Sequence, residues 1–274
     1  MTNALTGTAQ PVAGFPPTGI TPPEIIGEII NALLGGAPFS ASITRRPTGA
    51  NSTTWPVVSP TGMDWVHEGQ PLPTVNLGDT AYNVVPKKLA GTYGLSNELI
   101  TDATFSAFAL LGDAVRDASG PVLDDGLLHG DGDPGPIGVV GLAPAVAGTS
   151  LRIAAIEAQA SIDGDGGNAN VLAANPTVIA AEAQREDTQG RPIYPDGFTS
   201  LGNLAVLSVP KLLSTETLVY DSTRLFLLIR NDFMVEASPD AGFTSDLTIA
   251  RIKGRFAAAV PVVNKSIRKL TVGP

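Results

Sequence analysis

The chain reads as an α+β protein whose strands pair mostly out of sequence order, and three stretches carry that reading. Residues 101–129 space their apolar side chains at helical intervals over an unusually long run. Residues 49–95 are extended, because Pro56, Pro60, Pro71, Pro73 and Pro86 interrupt every short apolar run. Proline at that density excludes a helix and confines strands to edges. Beyond residue 200, short segments alternate apolar and polar side chains with the period of a half-buried strand. With 274 residues, 43% of them hydrophobic, the chain can bury a sizeable core, in one elaborate domain or two smaller ones.

Taken in order, residues 1 to about 20 carry no charge and are rich in Thr, Gly, Ala and Pro. Such a segment buries too little to order by itself, so it is either a loose terminus or an arm that orders against a neighbour. Thr21-Pro22-Pro23-Glu24 has the form of a helix start, with Thr21 as N-cap and proline in the first turn. Ile25, Ile26, Ile29, Ile30, Leu33 and Leu34 follow at helical spacing, and Gly35-Gly36 ends the run. With only Glu24 and Glu28 charged, that helix must pack on something.

In the extended region, Asn83–Gly94 is predicted as the return strand of a long hairpin. A loop of this length without its own core makes sense when it packs outside its own subunit. Thr101–His129 is the long helix, with Asp102 as its cap and a kink or break expected at Gly120-Pro121. Ser150–Ile162 and Thr177–Arg185 are helices, the second ending before Gly190 and Pro192. Strands are predicted at 170–174, 204–209, 224–230, 248–256, 260–263 and 267–272. In 248–256 the inward set is Ala250, Ile252 and Phe256, and the outward set is Arg251, Lys253 and Arg255. No internal repeat is present.

Composition excludes several classes of function. Lys and Arg total 17 against 26 Asp and Glu, a net charge of -9, so the chain as a whole repels polyanions except at local basic patches. Without cysteine there is no disulfide, thiolate metal site or thiol nucleophile. The opening residues lack the basic and apolar regions of a signal peptide, and no apolar run is long enough to span a membrane. The acids are uneven: seven Asp and one Arg lie between 101 and 133, whereas 251–274 holds six basic residues and no acid. These two elements are expected to face each other, within a subunit or between neighbours, or else to be two solvated faces.

Few groups suggest chemistry. His67-Glu68, and His129 with Asp131 and Asp133, are the only histidine–carboxylate clusters, and two histidines cannot build a His-rich zinc site in one subunit. They read as turn residues or intersubunit hydrogen-bonding groups. Asp163-Gly164-Asp165-Gly166-Gly167-Asn168 has the look of a calcium loop, but position 12 is Ala174 where an EF-hand needs a bidentate Glu, so it reads as a solvated glycine-rich loop. No phosphate-binding, dinucleotide-binding or serine-hydrolase motif is present. No catalytic residue, cofactor or metal is expected.

The order of the motifs is more telling than any one of them. Trp65-Val66-His67-Glu68-Gly69 is followed by Ser96-Asn97-Glu98-Leu99, then by Leu128-His129-Gly130-Asp131-Gly132. Asp187-Thr188-Gln189-Gly190-Arg191-Pro192-Ile193 comes next, and then the basic strand Ile252-Lys253-Gly254-Arg255-Phe256. From about residue 20 onward this order resembles the major capsid proteins of tailed bacteriophages, with the Hong Kong 97-type fold. The resemblance implies an N-terminal arm over 1–48, an extended β-hairpin loop over 49–96, and a peripheral domain over 97–140 with 246–262, containing a long spine helix and its peripheral sheet. An axial domain would take 141–245 with 263–274. It implies self-assembly into pentamers and hexamers of an icosahedral head, enclosing double-stranded DNA without sequence-specific binding, in a virion assembled in the host cytoplasm. A separate scaffolding protein, a portal and, in some members, a decoration protein are the further partners the resemblance implies.

Candidate intersubunit contacts are Trp65, His67, Glu68, Lys87, Lys88, Asp124, Asp125, Arg251, Lys253 and Arg255. Some members of the family join a loop lysine to a neighbour's asparagine. Here the loop tip, 63–79, holds no lysine, and Lys87 and Lys88 lie near its base, so no crosslink to Asn264 is expected. An encapsulin-type compartment housing a cargo enzyme is the alternative within the same fold. A hydrolase or binding module with an unfamiliar site is the alternative outside it.

Overall fold

The computed structural model describes residues 36–61, 64–72, 74, 76–98 and 107–272. The helix expected over 24–34 and the Asp102 cap lie outside these residues. Helix α1 (Pro38–Ser42) leads into strand β1 (Thr44–Pro47), which pairs in parallel with β10 (Phe226–Gly242), Thr44 opposite Phe226. β10 pairs antiparallel with β11 (Leu247–Ala259), and β11 with β4 (Lys87–Ser96), giving a four-stranded sheet in the order β1-β10-β11-β4. Strand β11 alternates as its sequence demands: Ala250, Ile252 and Phe256 are buried, and Arg251 is exposed with Lys253 and Arg255 half-buried.

Between β1 and β4 lie β2 (Thr53–Thr61) and β3 (Asn76–Val84), which pair with each other as a separate two-stranded sheet. Nine residues at about 3.3 Å each make this hairpin ~30 Å long. The extended reading of 49–95 holds, but the return strand is β3, not Asn83–Gly94. The chain turns at Val85-Pro86, and β4 crosses to the four-stranded sheet instead. At the hairpin base Trp55 stacks on Phe226 at 5.7 Å, and the Arg46 guanidinium lies 4.9 Å from the centre of the Phe226 ring. Trp55, Tyr82 and Phe226 pack on a small core of Val84, Leu228, Ala257 and Ala259, so the root of the hairpin is fixed by its own chain.

Helix α2 (Ala107–His129) runs ~35 Å and remains helical through Gly120-Pro121, where a kink or break is expected from sequence. Proline gives up one amide donor there. The helix is held on the far side of it by Leu123, Leu127 and Leu128, all in the main core. Gly120 has its own reason to be there: a Cβ would come within 2.6 Å of the Gly36 carbonyl carbon, so the two backbones cross closely.

The second sheet has six strands in the order β5-β12-β9-β6-β8-β7. It follows the short helix α3 (Val139–Leu142) and is built from β5 (Ala145–Gly148), β6 (Val171–Ala174), β7 (Ser200–Leu201), β8 (Leu204–Ser208), β9 (Thr217–Tyr220) and β12 (Ile267–Val272). Helix α4 (Leu151–Gly164) lays Leu151, Ala154, Ala155, Ala158 and Ile162 on it. Ser150 caps α4 by accepting from the Ile153 amide, and Asn175 caps α5 (Pro176–Ala183) by accepting from the Thr177 amide. β10 continues twelve residues beyond Arg230, where its sequence reading ends. Asn231-Asp232 and Pro239 look like breakers there, and the strand takes up its irregularities as register shifts. Residues 260–263 are not a strand: Pro261 interrupts, and the Val260 amide donates to the Tyr82 hydroxyl at 3.3 Å instead of to a ladder.

One buried carboxylate ties the first described helix to α2. Asp124 is 1% exposed and accepts from the amides of Phe39 and Ser40, both at 2.9 Å, and from the Ser40 hydroxyl. Burial pushes its carboxyl above the usual range, against the pull of those bonds. Replacing Asp124 by Ala strands two buried amides. The expected loss is about 2–3 kcal/mol, read from urea unfolding of the full chain, with Asp124→Asn losing less because its amide oxygen still accepts.

Candidate intersubunit interface

The loop between β2 and β3 is exposed wherever its side chains are described. Trp65 is 100% exposed and Leu72 83%. A single turn shapes the tip: the Gln70 amide donates to the His67 carbonyl at 3.1 Å, and Gly69 at φ 81° supplies the left-handed residue the turn requires. Asp64 accepts from the Trp65 amide at 2.8 Å. His67 and Glu68 make no ion pair among the described residues. A large aromatic held wholly in water is an unsatisfied contact.

Among the described residues the cations of the basic strand that pair do so within the four-stranded sheet. Arg251 and Lys253 both pair with Glu236 on β10, directly across the sheet. The two cations hold the Glu236 carboxyl down at about 2. Arg268 pairs with Asp165 at 2.7 Å and Lys269 with Glu216 at 3.0 Å. Asp124, a candidate intersubunit contact from sequence, is buried and accepts from the first amides of α1, so it is committed within its own subunit. Asp133 of the acidic segment, almost fully exposed, instead lies 3.8 Å from Lys87 of β4, outside the basic segment. Asp125 is exposed and lies 3.3 Å from His129.

His129 ends α2 in a cluster that sequence reading divides differently. Its Nε2 lies 2.8 Å from Glu216, 87 residues away, and Glu216 also accepts from Lys269. Asp131 and Asp133 instead belong to the turn after the helix, where the Asp133 amide donates to Asp131. Glycine is required in this turn, because a Cβ on Gly130 would overlap the Pro136 carbonyl and one on Gly138 the Leu128 carbonyl. Glu216 and Lys269 were invisible to a motif search because they come from the start of β9 and from β12. The cluster joins the end of α2 to the six-stranded sheet and contains no nucleophile.

The remaining motifs are turns and latches. Asn97 donates to Asp246 at 2.7 Å and accepts from Thr248 at 2.6 Å, fixing the end of β4 to the start of β11. Asp187 accepts from the amides of Gln189 and Arg191, closing a tight exposed turn with Gly190 at φ 73°. In the glycine-rich loop, Asp163 accepts from the Ala169 amide and Asp165 binds Arg268. Among the described residues no group of His, Asp and Glu converges on a metal position, and no helix is long and apolar enough to cross a membrane. Lys88 is exposed, and Asn264 lies apart from it in a recess with Tyr82 and Pro261.

Residues 18–272 match the phage capsid family. The chain belongs to that family. Its fold is the Hong Kong 97 type, and solved shell proteins share it. A chain from Mycobacterium phage Bobi superposes with a TM-score of 0.72 at 20% identity, covering 87% of this chain and 91% of that one. One from Mycobacterium phage Adephagia gives 0.73 at 19%, with the same coverages. The capsid of a native GTA particle gives 0.71 at 17%, again over 87% and 91%. No curated protein matches by sequence. A capsid chain is thus a component of a shell, which accounts for exposed groups that no described residue of the subunit covers.

The Glu216 cluster gives a pH prediction. Burial raises its carboxyl, but bonds from His129 and Lys269 outweigh it and leave the group below the ordinary 4.5. A depressed carboxyl stabilises the fold above its unfolded value, and that share is lost as pH falls from 4.5 through the folded value. Glu216→Gln removes the share. The gap between wild type and variant in urea midpoint is therefore widest at neutral pH and closes as pH drops below 4.5.

Proposed function

We propose that this chain is the major capsid protein of a tailed phage, self-assembling as pentamers and hexamers into an icosahedral head around packaged double-stranded DNA. The observation that carries the reading is the β2–β3 hairpin: among the described residues its strands pair only with each other, and its tip carries a fully exposed tryptophan. Membership of the phage capsid family supplies the context. In this reading residues 1–48 are the N-terminal arm and 49–96 the extended loop. Residues 97–140 with 246–262 are the peripheral domain, with α2 as spine helix, and 141–245 with 263–274 are the axial domain. All six strands of the six-stranded sheet, with the core under α4, fall in the axial segments, which favours that part of the division, whereas β10 crosses it by pairing with β11 in the four-stranded sheet.

The work of such a chain is contact, not catalysis. Trp65, His67, Glu68, Lys87, Lys88, Asp125, Arg251, Lys253 and Arg255 are the residues assigned to neighbours, and no covalent crosslink is part of the proposal. Many weak contacts per subunit sum to a stable closed shell. A net charge of -9 suits a container that must take up and release DNA without gripping it. Scaffolding, portal and decoration proteins, and assembly in the host cytoplasm, complete the picture.

A second reading, an encapsulin-type compartment around a cargo enzyme, draws on the virus-like particle from Pyrococcus furiosus. That particle gives a TM-score of 0.64 at 9% identity over 90% of this chain and 98% of that one. Negative-stain electron microscopy of the recombinant chain across protein and salt concentration separates the readings. Empty shells or ring-shaped capsomers support the capsid, and shells carrying a co-purified enzyme support the compartment. A monomer under every condition, even with a scaffold protein supplied, rejects both. Trp65→Ala is expected to leave the unfolding midpoint unchanged and to raise the protein concentration needed for assembly about tenfold, the effect of one lost aromatic anchor. Sedimentation velocity reads both quantities of assembled and free protein.

A further inference from the structure

A recess of about 360 Å³ opens on the four-stranded sheet, lined by Lys88 of β4, Arg230 of β10, and Lys253 and Arg255 of β11, together with Asn231 and Met234. Register explains how cations from three strands come together. Arg255 stands opposite Lys88 on one side and opposite Asn231 on the other. Ile229 pairs with Phe256 and Asn231 with the adjacent Arg255, so Arg230 is an extra residue, a bulge in β10. A second irregularity falls between Asn231 and Met234. Bulges re-aim side chains and are enriched beside active sites. The backbone under these cations is fixed as well. Gly254 has no room for a Cβ, which would lie 2.4 Å from the Phe256 ring, and Phe256 packs on Phe233 with ring centres 4.7 Å apart.

Charge is out of balance in this recess. Lys253 shares Glu236 with Arg251. Among the described residues Lys88, Arg230 and Arg255 have neither an ion-pair nor a hydrogen-bond partner for their side chains. Like charges held around one concavity repel, and an anion between them turns that repulsion into attraction. We infer that the recess binds a phosphate group, with Arg230 and Arg255 as forked donors and Lys88 as a point charge. A guanidinium meets two phosphate oxygens at once, whereas an ammonium adds charge without fixing direction. The Asn231 side chain offers a further amide donor. The ligand is a small phosphate rather than duplex DNA. A small oxyanion meets only the recess, while a duplex lays rows of phosphates along a chain of net charge -9. Lys88, Lys253 and Arg255 are also assigned to neighbours, so the phosphate site is a property of the free subunit and does not depend on the shell-forming role.

Calorimetric titration of the full chain with inorganic phosphate and with pyrophosphate tests this, at protein concentrations where it stays unassembled. Ionic strength is held fixed with chloride, which separates binding from screening. Wild type is expected to bind both, pyrophosphate more tightly, and to unfold at a higher temperature as either is added. Lys88→Gln with Arg255→Gln is expected to weaken binding at least about tenfold, the loss of charge-assisted bonds. In chloride alone that variant is expected to unfold no earlier than wild type, because it relieves repulsion. Should it unfold early, Arg230→Gln alone is expected to show the weakened binding. Lys211→Gln with Arg191→Gln removes two exposed cations elsewhere and is expected to leave binding unchanged. Absence of binding by wild type overturns the site, and so does an equal loss in the recess variant and the remote one. Short duplex DNA represents the other source of phosphate. A chain that binds duplex through Lys88 and Arg255, but takes up neither phosphate nor pyrophosphate, overturns the small-ligand assignment.

Discussion

A single buried carboxylate organises the centre of this fold. Asp124 sits on α2 but spends its charge on the amides at the start of α1, and so holds Phe39 in the core. Phe39 meets the ring of Tyr220 edge-on at 5.9 Å, and Tyr220 belongs to β9 in the six-stranded sheet. The Tyr220 hydroxyl returns to α1 through Ser42 at 2.6 Å. Burial raises the ionisation point of that hydroxyl, with the Ser42 bond opposing and the Asp124 charge adding to the rise. Three elements remote in sequence are thereby fixed to one another by polar groups that are costly to leave unpaired. Immediately after α1, β1 is set against the edge of β10, so the position of the four-stranded sheet follows from the same anchor.

What is rigid here ends where the hairpin begins. The base of β2–β3 is clamped by Trp55, Tyr82 and Phe226, with Arg46 over two of those rings. Beyond the clamp, the two strands pair only with each other among the described residues, and a two-stranded ribbon with little covered surface is marginal in water. Such an arm gains its remaining stability from whatever it lies against. The contrast between a tied root and an uncovered tip is a property of a subunit made for a larger object.

The parts legible in the sequence were those fixed locally. Ser150 and Asn175 cap α4 and α5 within three residues of themselves, and the alternation of Arg251, Lys253 and Arg255 with Ile252 and Phe256 fixes the faces of β11. The parts that were not legible depend on distant partners. Nothing near Asn83 says whether its strand returns along β2 or crosses to β11; Val85-Pro86 decides this by ending one strand and starting another. Local composition also argues against β10 beyond Arg230, since Asn231-Asp232 and Pro239 are absorbed only because β11 lies alongside. Asp124 looked like one more surface acid in a run of them, and its burial is set by residues 84 and 85 positions earlier. Glu216 escaped notice for the same reason, and with it the true surroundings of His129.

The distribution of charge follows from the same division between what a subunit can satisfy and what it cannot. Inside the chain, cations are matched: Arg268 with Asp165, Lys269 with Glu216, Arg224 with Asp221. A net charge of -9 keeps separate subunits apart at long range, which guards against indiscriminate aggregation. A small basic surface on such a chain is then the place where a like-charged copy can approach at low cost. Repulsion everywhere else makes that approach directional, since wrong juxtapositions set acid against acid. An acidic subunit with a local basic face therefore carries its own orientation rule, and salt, by screening both terms together, loosens the preferred contact and relaxes the penalty on the wrong ones.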